Sequence, residues 1–399
     1  MSFETEENSS YVLRSQSGEC IGNNLYCSNM MNDMFFNVDL ESKKIEVWRD
    51  NSNTLKCQKY NFMNSLVIDN HICFIPGGCN DYIFIYNVVD KRIQRILIEN
   101  GDCGNYEPVM VGATFFLLPI YYAERIPCVN VQTANVEYVQ LKSMERFVSY
   151  QGKRERLFFK AVLHDSKIYR VCKADALIQL ISLDGEVEYI EISGVEGALR
   201  SIVHTPNGFW ILPQNQSCVF LWDEKKNCIL RKIEFGKRVS ISPMEYWEII
   251  SYQGYLVLTG MEYPLIVLIN EQTEEVKVFD CNDIKGFKMC PQVGRVVFAV
   301  TRLSQEGDLV LVPNAANGIV ILKKDFSLEY ISTEINEESF FVGQQTVNQS
   351  VSSLKYFVSR VVKTDLLTVT KSKEKPNGEI IWNTISSSWL EEVENEVDK

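Results

Sequence analysis

A chain of 399 residues with 46% hydrophobic and 23% charged side chains has ample material for a sizeable core, which excludes a disordered segment. A formal net charge of -12 argues against a nucleic-acid duplex as partner, because phosphate binding draws on clustered Lys and Arg. No apolar run reaches membrane-spanning length, and the opening MSFETEENSS has neither a basic nor an apolar leader region, so a cytoplasmic protein with no membrane partner is expected.

Taken from the N-terminus, the apolar alternation of SYVLRS, residues 10–15, reads as the inner strand of a first sheet unit. Further inner strands read as SLVIDN, PVMVG, RLFFKAVL, RSIVH, WEIIS and VVFAVT. The plainest unit lies mid-chain, from Gly208 to Phe235: an apolar run stopped at Pro213, a polar loop, and two alternating segments around a charged turn. Together with SIVHT just before it, this makes four short strands in series. The same grammar recurs with second strands ending at Asn29, Pro76, Pro119, Cys172, Pro213, Gly260 and Pro313, 41 to 53 residues apart. Proline lacks the N–H that a central ladder needs, so it belongs where pairing stops. Each anchor is followed by a hairpin whose turn is usually rich in Asp, Asn or Gly, such as FFNVDLESKKIEVW and VLINEQTEEVKVF. The pattern predicts an all-β fold over residues 10–335: a seven-bladed β-propeller of four-stranded antiparallel blades. Each blade would hold its own four strands, with blades 1 and 7 packing face to face.

Beyond Ile335 the period changes. Leu354, Phe357, Val358 and Val361 stand at helical spacing, as do Ile381, Trp382, Ile385, Trp389 and Val393, so residues 336–399 are expected to form a short helical extension with an acidic tail.

The units Gly208–Phe235, His71–Ile98 and Asp308–Ile331 resemble the seven-bladed propeller class that includes kelch-like and WD-repeat proteins. Trp222-Asp223 and the double glycine Gly77-Gly78 each occur once rather than per blade, so the resemblance implies the fold and carries over no functional residues.

On such a ring, the loop after each second strand and the link between blades emerge on one face. Tyr121, Tyr122 and Tyr263 there could stack on a sugar or peptide, with Asn80, Asp81, Asn215, Asn314 and Asn317 supplying hydrogen bonds. Aligning the entrances to the inner strands puts Glu107, Arg156, Arg200, Glu248 and Arg295 around the channel mouth, with Arg200 beside Glu248. These read either as inter-blade ion pairs or as an anion- or glycan-binding mouth.

The three histidines, His71, His164 and His204, fall on the opposite face, and no metal or cofactor is expected. The twelve cysteines contain no C-x-x-C pair and read as small buried hydrophobes. Two functions fit: a non-catalytic binding or scaffold module presenting loops and channel mouth to a protein, glycan or small ligand, or a carbohydrate-active enzyme using Glu107 or Glu248 as general acid or base.

Overall fold

The computed structural model describes residues 11–29, 34–49, 62–77, 81–99, 105–153, 155–173, 176–236, 245–290 and 296–335. Among these, seven antiparallel sheets of four sequential strands form a seven-bladed β-propeller. The inner strands are Gly18–Ile21, Phe62–Ile68, Tyr106–Val111, Phe158–His164, Leu199–Thr205, Tyr246–Tyr252 and Phe298–Leu303. In blades 2 to 7 the second strands end at Pro76, Pro119, Cys172, Pro213, Gly260 and Pro313, the positions expected from the sequence; in blade 1 the strand ends at Ser28, one residue before Asn29. The two helical segments expected beyond Ile335 lie outside the described residues.

Burial follows strand order. Second and third strands are covered on both faces by neighbouring blades, so Phe209–Leu212 and Leu265–Ile269 are buried without alternation. Fourth strands face solvent on one side and alternate, as in Asn135–Gln140. The apolar clusters span blade pairs. One joins Phe116 and Leu118 of blade 3 to Phe158 and Leu177 of blade 4, with Met144 and Phe147 from the link between them. That link contains the 3-10 turn Glu145–Tyr150, which accounts for the long interval from Pro119 to Cys172.

The N-terminal segment corrects one expectation. Tyr11–Val12 is no inner strand; it pairs antiparallel with Glu334–Ile335, just beyond blade 7. Leu13 donates its N–H to the Thr333 carbonyl, and Thr333 Oγ1 donates to the Leu13 carbonyl at 2.8 Å. The inner strand of blade 1 is GECI instead, whose buried Glu19 breaks the apolar pattern that pointed to SYVLRS. Each blade still keeps four strands of its own, so the clasp ties the segment before blade 1 to the segment after blade 7 outside the blades, alongside direct contact of blades 1 and 7.

Candidate functional site

Five inner strands carry a register shift at their entrance, where the partner strand has one residue fewer: between Phe62 and Asn64, Phe158 and Ala161, Leu199 and Ser201, Tyr246 and Glu248, and Phe298 and Val300. A bulge re-aims the extra side chain out of the sheet. Here Met63, Phe159, Arg200, Trp247 and Ala299 all line one cavity at the mouth of the axial channel, on the face where the inter-blade links emerge. Blades 2 to 7 contribute to its wall, joined by Gln16 from the segment just before blade 1. Its volume is about 60 Å³.

Two layers of charge follow the channel inward. In the upper layer, Arg200 lies over Phe159 at 4.5 Å and over Trp247 at 4.4 Å, with Arg156 over the same rings at 5.2 and 5.8 Å. Cation–π contacts strengthen as water is excluded, toward about 2 kcal/mol each. Arg200 Nε donates to the Trp247 carbonyl at 3.3 Å and Nη2 reaches the Met261 sulfur at 3.6 Å. Arg156 Nε is buried without a partner. Burial, and for Arg200 the adjacent Arg156 charge, pull both guanidinium pKa values down, Arg200 to about 10, so both stay charged at neutral pH. The indole is fixed in turn by Trp247 Nε1 donating to the Ala299 carbonyl at 2.9 Å.

The lower layer is internally paired. Lys160 Nζ stands 3.3 Å from Glu107 Oε1 and 3.5 Å from Glu248 Oε2. Glu248 also accepts from Thr301 Oγ1 at 2.7 Å, and Glu107 from Asn64 Nδ2 at 3.2 Å. Arg302 Nε donates to Glu19 Oε1 at 2.7 Å across the blade 1–blade 7 seam, and Ser65 Oγ donates to the same oxygen at 3.0 Å. Burial alone would lower the Lys160 and Arg302 pKa values, but the facing glutamates outweigh it and raise both.

The structure therefore gathers Glu107, Arg156, Arg200, Glu248 and Asn314 at the mouth, though not as one ring. Glu107 and Glu248 sit one step into the ladder, Arg200 occupies a bulge, and Arg156 precedes its strand. Glu248 takes Lys160 rather than Arg200, because the bulge swings Arg200 onto the aromatic rings. Arg295 and Asn80 lie outside the described residues. Asn314 is buried, with Oδ1 unpartnered. Asn317 is fully engaged, donating to the Gly286 carbonyl and Glu334 Oε1 and accepting from Lys288 N–H. Tyr122 turns into the blade 3–blade 4 core and donates to Glu124. Tyr121 accepts from Asn105 at 2.9 Å, while Asn215 and Tyr263 remain exposed on the loops. Phe159, Lys160 and Trp247 are residues the strand alignment missed, since RLFFKAVL and WEIIS read as ordinary apolar strands.

On the far face His164 and His204 stack at 3.8 Å, while His71 bonds Asn87 at 3.1 Å. Among the described residues no cluster of His, Cys, Asp or Glu is arranged to hold a metal. Nor is any described helix long and apolar enough to cross a membrane.

No family model matches the chain, and no curated protein sequence does. Solved structures match its fold. A streptogramin B lyase aligns over 82% of this chain and 95% of its own at 10% identity, TM-score 0.57. A catalytically inactive histidine-to-alanine variant of virginiamycin B lyase from Staphylococcus aureus, with quinupristin, aligns over 79% of this chain and 96% of its own, also at 10% identity and TM-score 0.57. The WD40 propeller domain of Doa1 aligns over 79% and 96% at 11% identity, TM-score 0.54. A lyase and a WD40 domain fit almost equally well, so the likeness is one of fold: the chain is a seven-bladed β-propeller of the broad class containing both.

Proposed function

We propose that this protein is a non-catalytic binding module that receives a protein partner or a small ligand at the channel mouth and the loops around it. The observation that carries this reading is the upper layer: two arginines held on Phe159 and Trp247 with no carboxylate within ion-pairing distance among the described residues, beside the orphaned oxygens of Gln16 and Asn314. Buried polar groups without partners are costly and are normally satisfied. A site whose unsatisfied groups converge on one open cavity is built for a visitor.

The carbohydrate-active reading fits the same geometry less well. Glu107 and Glu248 are close enough, no more than about 7 Å apart through Lys160, within the separations glycosidases use. The ammonium, however, occupies the space between them where a scissile bond would lie. A lyase-like reading has no histidine to call on at the mouth, since His71, His164 and His204 all lie toward the other face.

The test is affinity capture with paired variants. Tyr263→Glu and Asn215→Arg, on the mouth face, are expected to abolish capture of a partner that the wild type retains, whereas Val89→Glu and Leu303→Glu, on the opposite face, leave it intact. The reverse pattern would refute the assignment.

A further inference from the structure

We infer that the mouth cavity is a receptor for a single carboxylate group, an inference that rests on the binding reading above. The positive charge comes from Arg156 and Arg200, whose guanidiniums have no acidic partner within ion-pairing distance among the described residues, although the charges of Glu107, Glu245 and Glu248 reach them from further away. Stacking on Phe159 and Trp247 holds the guanidinium planes and leaves N–H edges to recognise a planar oxyanion, the pairing Arg makes best with carboxylates. Burial removes competing water, so the attraction is stronger than on an open surface.

Charge chooses carboxylate over phosphate. Directly beneath the arginines stand Glu107 and Glu248, which share the one ammonium of Lys160. A phosphate, with about -1.5 to -2 charge at neutral pH, would meet more repulsion from this layer than a monoanion. Size sets the extent of what enters: at roughly 10–15 Å³ per water-sized position, the cavity takes about four to six such groups, enough for one acidic headgroup and not for a whole ligand. The rest of the ligand must project through the mouth, past the orphaned oxygens of Gln16 and Asn314, which can accept from an N–H or O–H close to the carboxylate.

The carboxylate could belong to an Asp or Glu of a protein partner or to a free small acid, and the probes separate these. Ligand-observed NMR on the full chain would use propionate, a capped Gly-Glu-Gly peptide, and inorganic phosphate as competitor. Saturable binding of at least one carboxylate probe is expected, weakened about tenfold or more by Arg156→Gln and by Arg200→Gln, as for loss of a charge-assisted bond. Peptide binding alone assigns the source to a partner's side chain, propionate binding alone to a free acid. Thermal unfolding checks both variants; if Arg200→Gln does not fold, Arg156→Gln, whose Nε bonds nothing, carries the test. Absence of binding by both probes, indifference to Arg156→Gln, or displacement of the bound carboxylate probe by phosphate at lower concentration than that probe itself requires would overturn the inference. Each of these outcomes leaves the paired-variant capture experiment unaffected, so the two readings fail separately.

Discussion

Lys160 is the residue on which the lower layer turns. Its ammonium separates two carboxylates, Glu248 buried and Glu107 partly so, that would otherwise face and repel each other. Replacing it by Met keeps most of the volume and removes the charge. Urea unfolding at pH 7.5 is expected to show a loss of about 3–5 kcal/mol, as for other broken buried pairs. Equal stability at pH 7.5 would mean that the Lys160 bridge contributes nothing. On the opposite face, burial and the stacked His164 ring push the His204 pKa below its ordinary 6.5. The folded protein then binds that proton less readily than the unfolded chain, so the stability His204 contributes is present above pH 6.5 and lost as pH falls toward its lowered folded value. His204→Phe should flatten the fall in melting temperature between pH 7 and 5; an unchanged slope contradicts this. The thiols of Cys20, Cys172 and Cys281 are each pushed up to about 12, chiefly by burial, which fits small core hydrophobes rather than reactive thiols.

At the scale of elements, second strands were readable because both their faces are covered: CFIP, FLLP and WILP are unbroken apolar runs with a stop residue at the edge of pairing. Bulges were not. An extra residue at the entrance of WEIIS changes which side chain meets the channel without changing the apolar pattern, so an ungapped alignment placed Arg200 with Glu248 and overlooked Trp247. SYVLRS misled for a related reason, since a two-residue clasp and a true strand look alike over so short a span. The outer hairpins carry their own constraint. Gly185 has φ +89, and a Cβ there would collide with the Gln140 carbonyl oxygen of the neighbouring blade. Gly185→Ala is expected to cost about 1–3 kcal/mol by chemical denaturation, and a neutral result would contradict the close approach of blades 3 and 4.

For the whole molecule, closure depends on the seam between first and last blades. The Glu19–Arg302 pair bridges it inside the channel, Lys43 meets Glu329 at 2.6 Å near the rim, and the clasp ties residues 11–13 to 333–335. Thr333→Val removes the bond to the Leu13 carbonyl and should lower stability by about 0.5–1.5 kcal/mol, measured as a shift in urea midpoint at constant slope. The ring exists to hold seven strand entrances around one axis, and the bulges turn five side chains into the mouth formed there. Hydrogen exchange with and without a captured partner tests this account most directly. Slowed exchange confined to the links and loops of the mouth face, including residues 120–124, 155–157, 214–217 and 261–264, is the predicted result. Protection centred on the first hairpin turns around His71, His164 and His204, with the mouth unchanged, would contradict it.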